Sequence, residues 1–216
     1  MRSERAKLIL EDEEHYFDHD RVFLNNPTVI QGMGLAPLVV MATTGRKSLM
    51  LAVAALLLLT PTRVLASLAL NKVKQPLLRA AGYCTISALV YCGVWLLMRD
   101  FFGNDILTLG LYLPILVVDP IVIYRHGRVP EPLHKAASKG LQITLGYMLV
   151  LLLTGCLREI LAVGTLFGQP VAGSAMLPLA ATPAGGFMLL GVVFAIWRSI
   201  GGAWRNYVEQ EAKKQA

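Results

Sequence analysis

The chain has 216 residues, a net charge of +6, and 55% hydrophobic against 16% charged residues. A water-exposed globular surface needs about 25% charged residues, so this composition excludes an ordinary soluble domain and makes lipid the expected solvent. The basic residues fall between apolar stretches, which reads as topology signals and not as a nucleic-acid footprint.

Residues 1–21 mix acids and bases, with Glu11-Asp12-Glu13-Glu14 followed by Asp18 and Asp20. They lack an apolar h-region, so no cleavable signal peptide is expected. A bilayer core takes about 20 apolar residues per helix. Six spans are predicted, over residues 27–44, 48–70, 77–98, 106–124, 141–163 and 184–204. The expected organisation is a cytoplasmic N-terminal segment (1–24), a six-helix membrane domain (25–204) and a cytoplasmic C-terminal tail (205–216). Spans one and four are short and broken, the first by Gly32, Gly34 and Pro37, the fourth by Gly110, Pro114 and Pro120.

Six spans place the N-terminus, the two-to-three and four-to-five connections and the C-terminus on one side. That side holds fifteen Lys and Arg, the other side four (Arg46, Lys47, Arg99 and Arg158), with Arg63 inside span two. Basic residues accumulate on the cytoplasmic side, so both termini are expected in the cytoplasm of a prokaryote, with the chain in its inner (plasma) membrane. The chain then divides into two three-helix halves of opposite orientation, each opening on a broken span. The expected fold class is all-α integral membrane, as two inverted three-helix repeats. Broken backbone at membrane depth must be buried in protein or line a cavity, and paired interruptions point to a site near the midplane.

Charges inside spans are costly and often functional. Arg63 lies in Thr60-Pro61-Thr62-Arg63-Val64 and Asp119 in Val117-Val118-Asp119-Pro120. An Arg63–Asp119 ion pair is expected, favoured as a structural pin between spans two and four over a cation or proton site at Asp119. Arg158 and Glu159, near the end of span five, are either an interfacial polar turn with a snorkelling arginine or functional. His126 and His134 fall in the polar connection after span four. Cys84, Cys92 and Cys156 form no CxxC pair and read as packing residues. No metal-ligand spacing, phosphate loop or nucleophile constellation stands out, and no catalytic residue is assigned.

The segment from Asn25 to Pro37, Asn-Asn-Pro-Thr-Val-Ile-Gln-Gly-Met-Gly-Leu-Ala-Pro, resembles the first-span signature of the RnfE/NqrD family, approximately NNPxxxQxxGLCP. The stretch from Leu157 to Gly168 resembles the family's LREILGxGTLF, and that from Pro183 to Gly191 its PPGAFILLG. The three matches keep their order and cover most of the chain. The resemblance implies a membrane subunit of an ion-translocating oxidoreductase that couples electron transport to Na+ or H+ movement, not catalytic by itself. It implies an inverted, RnfA-like partner and other Rnf/Nqr-like subunits. It also implies a 2Fe-2S cluster held by one cysteine from each broken helix. Here those positions read Ala36 and Pro120, and neither side chain offers the thiolate that a cluster needs. The cluster is expected to be absent or altered, with no cofactor bound by this chain alone. Family members tend to carry Asn where Arg63 and Asp119 stand, which reads as a remodelled centre. Gly34, Pro37, Arg63, Asp119, Arg158 and Glu159 are the candidate functional or structural residues. Two rival readings remain: a transporter or ion-conducting protein on the same scaffold, and a non-redox assembly or regulatory homologue.

Overall fold

The protein is described by a computed structural model covering residues 21–119, 121 and 132–215. Two short helices come first, α1 (Pro27–Gln31) and α2 (Leu35–Val40), then the long α3 (Gly45–Ala69) and α4 (Pro76–Phe102). A 3-10 helix (Gly103–Leu109) and the one-turn α5 (Tyr112–Ile115) follow. The long α6 (Leu133–Val163) leads into a two-stranded antiparallel ribbon, β1 (Thr165–Leu166) and β2 (Gln169–Pro170). A second 3-10 helix (Pro178–Ala181) precedes α7 (Pro183–Gln215).

Among the described residues four helices are long and apolar enough to cross a membrane: α3, α4 with its 3-10 extension, α6 and α7. They correspond to predicted spans two, three, five and six. The other two predicted spans are short pieces among the described residues. The first is cut between α1 and α2 at Gly32 and Gly34, both in the left-handed region. The second is the 3-10 helix, Gly110 and α5. Several ends differ from the sequence reading. Helix α3 begins at Gly45 because the Thr44 hydroxyl caps it, accepting from the Lys47 N–H. Helix α6 begins at Leu133, so His134 sits in its first turn and not in a connector. Helix α7 runs without a break through Trp204 to Gln215. His126 and Pro120 lie outside the described residues.

The core is the antiparallel pair α3 and α6, the two long helices with half of their apolar stretches buried. Small residues set their closeness, as between membrane helices generally. A Cβ at Gly155 would fall 1.8 Å from Ser48 Oγ, and one at Gly140 would fall 3.2 Å from Arg63 Cδ. Between these points the Thr60 and Thr144 hydroxyls meet at 3.2 Å. Helices α4 and α7 lie outside this pair and expose rows of large apolar side chains, among them Leu77, Leu89, Leu96 and Phe101 on α4 and Phe187, Val192, Ile196 and Ile200 on α7. Such surface suits lipid or partner helices, not water.

Candidate functional site

The Asn-Asn-Pro segment builds the approach to the first break. Asn26 is fully buried and caps α1, its Oδ1 accepting from the Thr28 N–H at 3.0 Å, with Pro27 in the first turn. Its Nδ2 donates to the carbonyls of Val22 (2.9 Å) and Gly146 (3.0 Å), tying the chain before α1 to the middle of α6. Gly146 permits this: a Cβ there would meet the Arg21 carbonyl oxygen at 2.9 Å.

Helix α1 ends at Gly32, and α2 starts after Gly34, whose φ is 73°. The Gly34 carbonyl accepts the Tyr147 hydroxyl at 3.2 Å, and the tyrosine ring occupies the place of a Cβ, 2.6 Å from where it would stand. The Gly34 backbone lies within electrostatic reach of the carboxylate of Asp119, whose Oδ1 accepts from the Ile121 N–H at 2.9 Å. Asp119 is 5% exposed, and Tyr147, fully buried, is within electrostatic reach of it. The two interrupted segments therefore meet, α2 packing against α5 with the Asp119 carboxylate near the Gly34 backbone. Pro37 is buried beside this junction, while Ala36 is exposed on α2. Val118, next to Asp119, is 58% exposed.

The expected Arg63–Asp119 ion pair does not form between these two described residues; ion pairs that do form include Arg46–Asp105, Lys213–Glu209 and Lys214–Glu211. Depth along α3 explains this. With Gly45 as the first residue, Arg63 stands about 27 Å along the helix at 1.5 Å per residue. That is close to the far edge of a ~30 Å hydrocarbon core, where its stem lies along Gly140 near the start of α6. The Asp119 carboxylate takes the Ile121 N–H instead.

Arg158 and Glu159 form a second buried polar centre. Arg158 does not snorkel; it is fully buried. Its Nε donates to Ala180 O (2.8 Å), one terminal nitrogen to Leu38 O, Val39 O and Ala42 O (3.2, 2.7 and 3.1 Å), and the other to Ala181 O and Thr182 O (3.3 and 3.2 Å). These carbonyls end α2 and the second 3-10 helix, where a helix leaves its acceptors unpaired and its dipole is negative. Glu159 does the opposite work. Its Oε2 accepts from Gly45 N–H (2.7 Å) at the positive start of α3. Its Oε1 accepts from the Thr165 hydroxyl (2.9 Å) and Gly168 N–H (2.8 Å) in the ribbon turn. That turn contains Phe167 at φ 50°, and its ring packs against Gly45. Adjacent in sequence, the two charges bind separate elements. Together they fix α2, α3, the ribbon and the start of α7 to the end of α6.

Sequence reading missed Tyr147, Gly146 and Asn26 as site residues. Asn26 carried a signal, an N-cap asparagine before proline. So did Tyr147, a hydroxyl within an apolar run that needs a partner when buried. Gly146 carried none, because a close backbone approach leaves no mark in a lone helical glycine.

The residues at the junction do not fit a 2Fe-2S cluster. Ala36 presents a methyl group, and the polar groups in reach are a carboxylate, a phenol and backbone amides, not thiols. The three cysteines lie on α4 (Cys84, Cys92) and α6 (Cys156) as free thiols. Among the described residues no group of three His, Cys, Asp or Glu gathers to hold a metal ion.

A family model described as "Rnf-Nqr subunit, membrane protein" matches residues 17–194. A protein of Shewanella frigidimarina, named as the E component of an ion-translocating oxidoreductase complex, is 38% identical over 146 residues, 67% of this chain and 63% of the relative. One of the same name from Thioalkalivibrio sulfidiphilus is 32% identical over 189 residues, 80% of this chain and 82% of the relative. Another, from a Shewanella species, is 30% identical over 208 residues, 88% of this chain and 86% of the relative. The chain thus spans a little under two thirds of the first of these relatives and most of the other two. With a matching family model across most of its length and these relatives beside it, the chain belongs to the Rnf-Nqr membrane-subunit family.

Proposed function

We propose that this chain is the E-type membrane component of an ion-translocating oxidoreductase complex, acting as scaffold and partner surface without iron-sulfur ligands of its own. In this reading it folds as two inverted three-helix halves, pairs with an inverted RnfA-like subunit, and lies in the plasma membrane with both termini cytoplasmic. The observation that carries it is the Gly34–Asp119 junction. It brings the two interrupted segments together, and in the sequence the family's two cysteine positions fall close to these residues, at Ala36 and Pro120. The exposure of Ala36 and Val118 supports a partner packed over this face.

The inverted arrangement has support in the connections as well. Arg46, at the start of α3, meets Asp105 in the 3-10 helix after α4. Glu159, near the end of α6, holds Gly45. Three connections assigned to the same side of the bilayer by the six-span reading thus gather.

The test is purification of the tagged protein from its native membranes in mild detergent, with co-purifying subunits identified by mass spectrometry. RnfA-like and flavin-carrying subunits should accompany it. A chain that emerges alone or as a homodimer overturns the reading.

A second reading has one observation in its favour: Asp119 is a nearly buried carboxylate, in a segment that the six-span reading places in the membrane. In that reading the chain alone moves an ion through the broken-helix centre. Proteoliposomes containing only this chain would then take up Na+ or H+, and they should not if the first reading holds.

A further inference from the structure

From Ile160 to Trp197 the chain carries no charged residue, and the whole connection between α6 and α7, residues 164–182, falls within that run. Its polar side chains are neutral ones, Thr165, Gln169, Ser174 and Thr182. Other turns present exposed charges, at Arg46, at Lys72 and Lys74, and at Arg99 and Asp100. Here the nearest charges on the α6 side, Arg158 and Glu159, are buried and spent on internal bonds. What the connection presents outward is apolar: Phe167, Val171, Met176, Leu177 and Leu179 are all exposed. Such a contiguous surface suits a partner or a membrane, not water.

The backbone of this connection asks little of water. The Gly164 carbonyl accepts from the Val171 and Ala172 N–H groups, both at 2.9 Å, and the Leu161 carbonyl from the Leu177 N–H at 2.7 Å. The ribbon pairs its own two strands. Glu159 takes the Gly168 N–H, and Arg158 the carbonyls of Ala180, Ala181 and Thr182. Irregular backbone enters a membrane at low cost only where its polar groups are paired within the protein.

Two helices give the depth of the connection. On α7 the exposed rings of Trp204 and Tyr207 mark one membrane boundary, since such side chains settle among headgroups. Pro183 stands about 32 Å back along the helix from Trp204 at 1.5 Å per residue, which is one hydrocarbon thickness of ~30 Å. On α6, Leu161, to which Leu177 is bonded, stands about 33 Å from Lys139, the last charge before the apolar run. Both measures put the connection at the far edge of the hydrocarbon. Its apolar surface also continues that of α7, where Phe187 and Met188 are exposed in the first turns after Pro183.

We propose that residues 164–182 form an interfacial anchor, with Val171, Met176, Leu177 and Leu179 set among the upper acyl chains of the leaflet opposite the C-terminal end of α7. The partner is phospholipid irrespective of headgroup charge, because the segment has no charge with which to select one. The anchor requires only that α6 and α7 cross the bilayer, so it stands apart from any role in electron transport.

The test uses the tagged protein, with the subunits that accompany it from native membranes, reconstituted in phosphatidylcholine vesicles. A fraction of the lipid carries a diazirine near the ester end of one acyl chain, and adducts are mapped by mass spectrometry after illumination. Adducts are expected on Val171 and on the stretch from Met176 to Leu179, at a yield like that on Phe187 and Met188, and none on the charged turn from Asn71 to Lys74. Moving the diazirine to the acyl terminus should lower the yield on 171–179 severalfold, as an interfacial depth requires. Replacing half of the phosphatidylcholine by phosphatidylglycerol should leave it unchanged. Absence of adducts on 171–179 in a sample whose α7 is labelled overturns the proposal. So does labelling that appears only with phosphatidylglycerol, which would make charge the recognised feature. Oxidation of Met176 by hydroxyl radicals generated in the surrounding water, at the rate of free methionine, would place the segment in water and overturn it as well.

Discussion

Tyr147 donates its hydroxyl to the Gly34 carbonyl at 3.2 Å, and its ring fills the volume that a side chain at residue 34 would need. Glycine is required there twice, by a φ of 73° and by the ring 2.6 Å from the Cβ position. Gly34→Ala is therefore expected to cost on the order of 2–4 kcal/mol, from left-handed backbone and overpacking together. Unfolding of the detergent-solubilised chain in SDS measures it. Gly93→Ala is the matched control: it lies within α4 with nothing near its Cβ position, so it should be neutral or stabilising by up to about 1 kcal/mol.

The long spans were legible because a hydrocarbon core demands apolar runs of a set length, and the breaks because Gly32, Gly34 and Gly110 interrupt such runs. Depth was less legible. Apolar neighbours on both sides put Arg63 inside span two and suggested Asp119 as its partner; counted from the capped start at Gly45 it stands about 27 Å along the helix, near the far edge of the core. The role of Arg158 could not be read at all, because it binds carbonyls 120 residues earlier at Leu38 and others at 180–182. Backbone acceptors have no residue type, so no motif announces them.

Arg158 should be the least replaceable charge in the chain. Removing it leaves carbonyls of two helix ends buried without donors, and breaking a buried charged network typically costs about 3–5 kcal/mol. Arg158→Met is expected to abolish the monodisperse detergent-solubilised protein. Arg158→Lys should be severely destabilised, since an ammonium has three donors and no planar fork. Glu159→Gln should be milder, at about 1–3 kcal/mol, because the amide oxygen keeps one of the two accepting sides while the NH2 group faces a donor on the other and the charge at the start of α3 is lost. Size-exclusion profiles and limited proteolysis rank the three. Equal behaviour of Arg158→Met and Glu159→Gln would contradict the capping account.

Ala36 lies exposed on α2, at a position where the scaffold reading puts a partner subunit. Ala36→Trp should leave the isolated chain folded, because an exposed site accepts a larger side chain without overpacking. In native membranes the same substitution should reduce co-purification of other subunits severalfold. Loss of the isolated chain's own fold would show that α2 packs within this chain at that point, and unchanged co-purification would move the partner surface elsewhere.

Asp119 separates the two functional readings most cleanly, because its carboxylate has a structural task and a conceivable transport one. Structurally it accepts from the Ile121 N–H and lies near the Gly34 backbone across the junction. Asn retains one such acceptor in the same shape, whereas Ala leaves the buried Ile121 amide unpaired at about 1–3 kcal/mol. If the residue serves only to join the interrupted segments, Asp119→Asn should assemble with its partners and support ion translocation by the complex near the parent rate. Asp119→Ala should then lose stability and partners together. If instead Asp119→Asn assembles fully yet translocates no ion, the carboxylate's charge is the working part. The broken-helix centre is then an ion site, and the scaffold reading must give way.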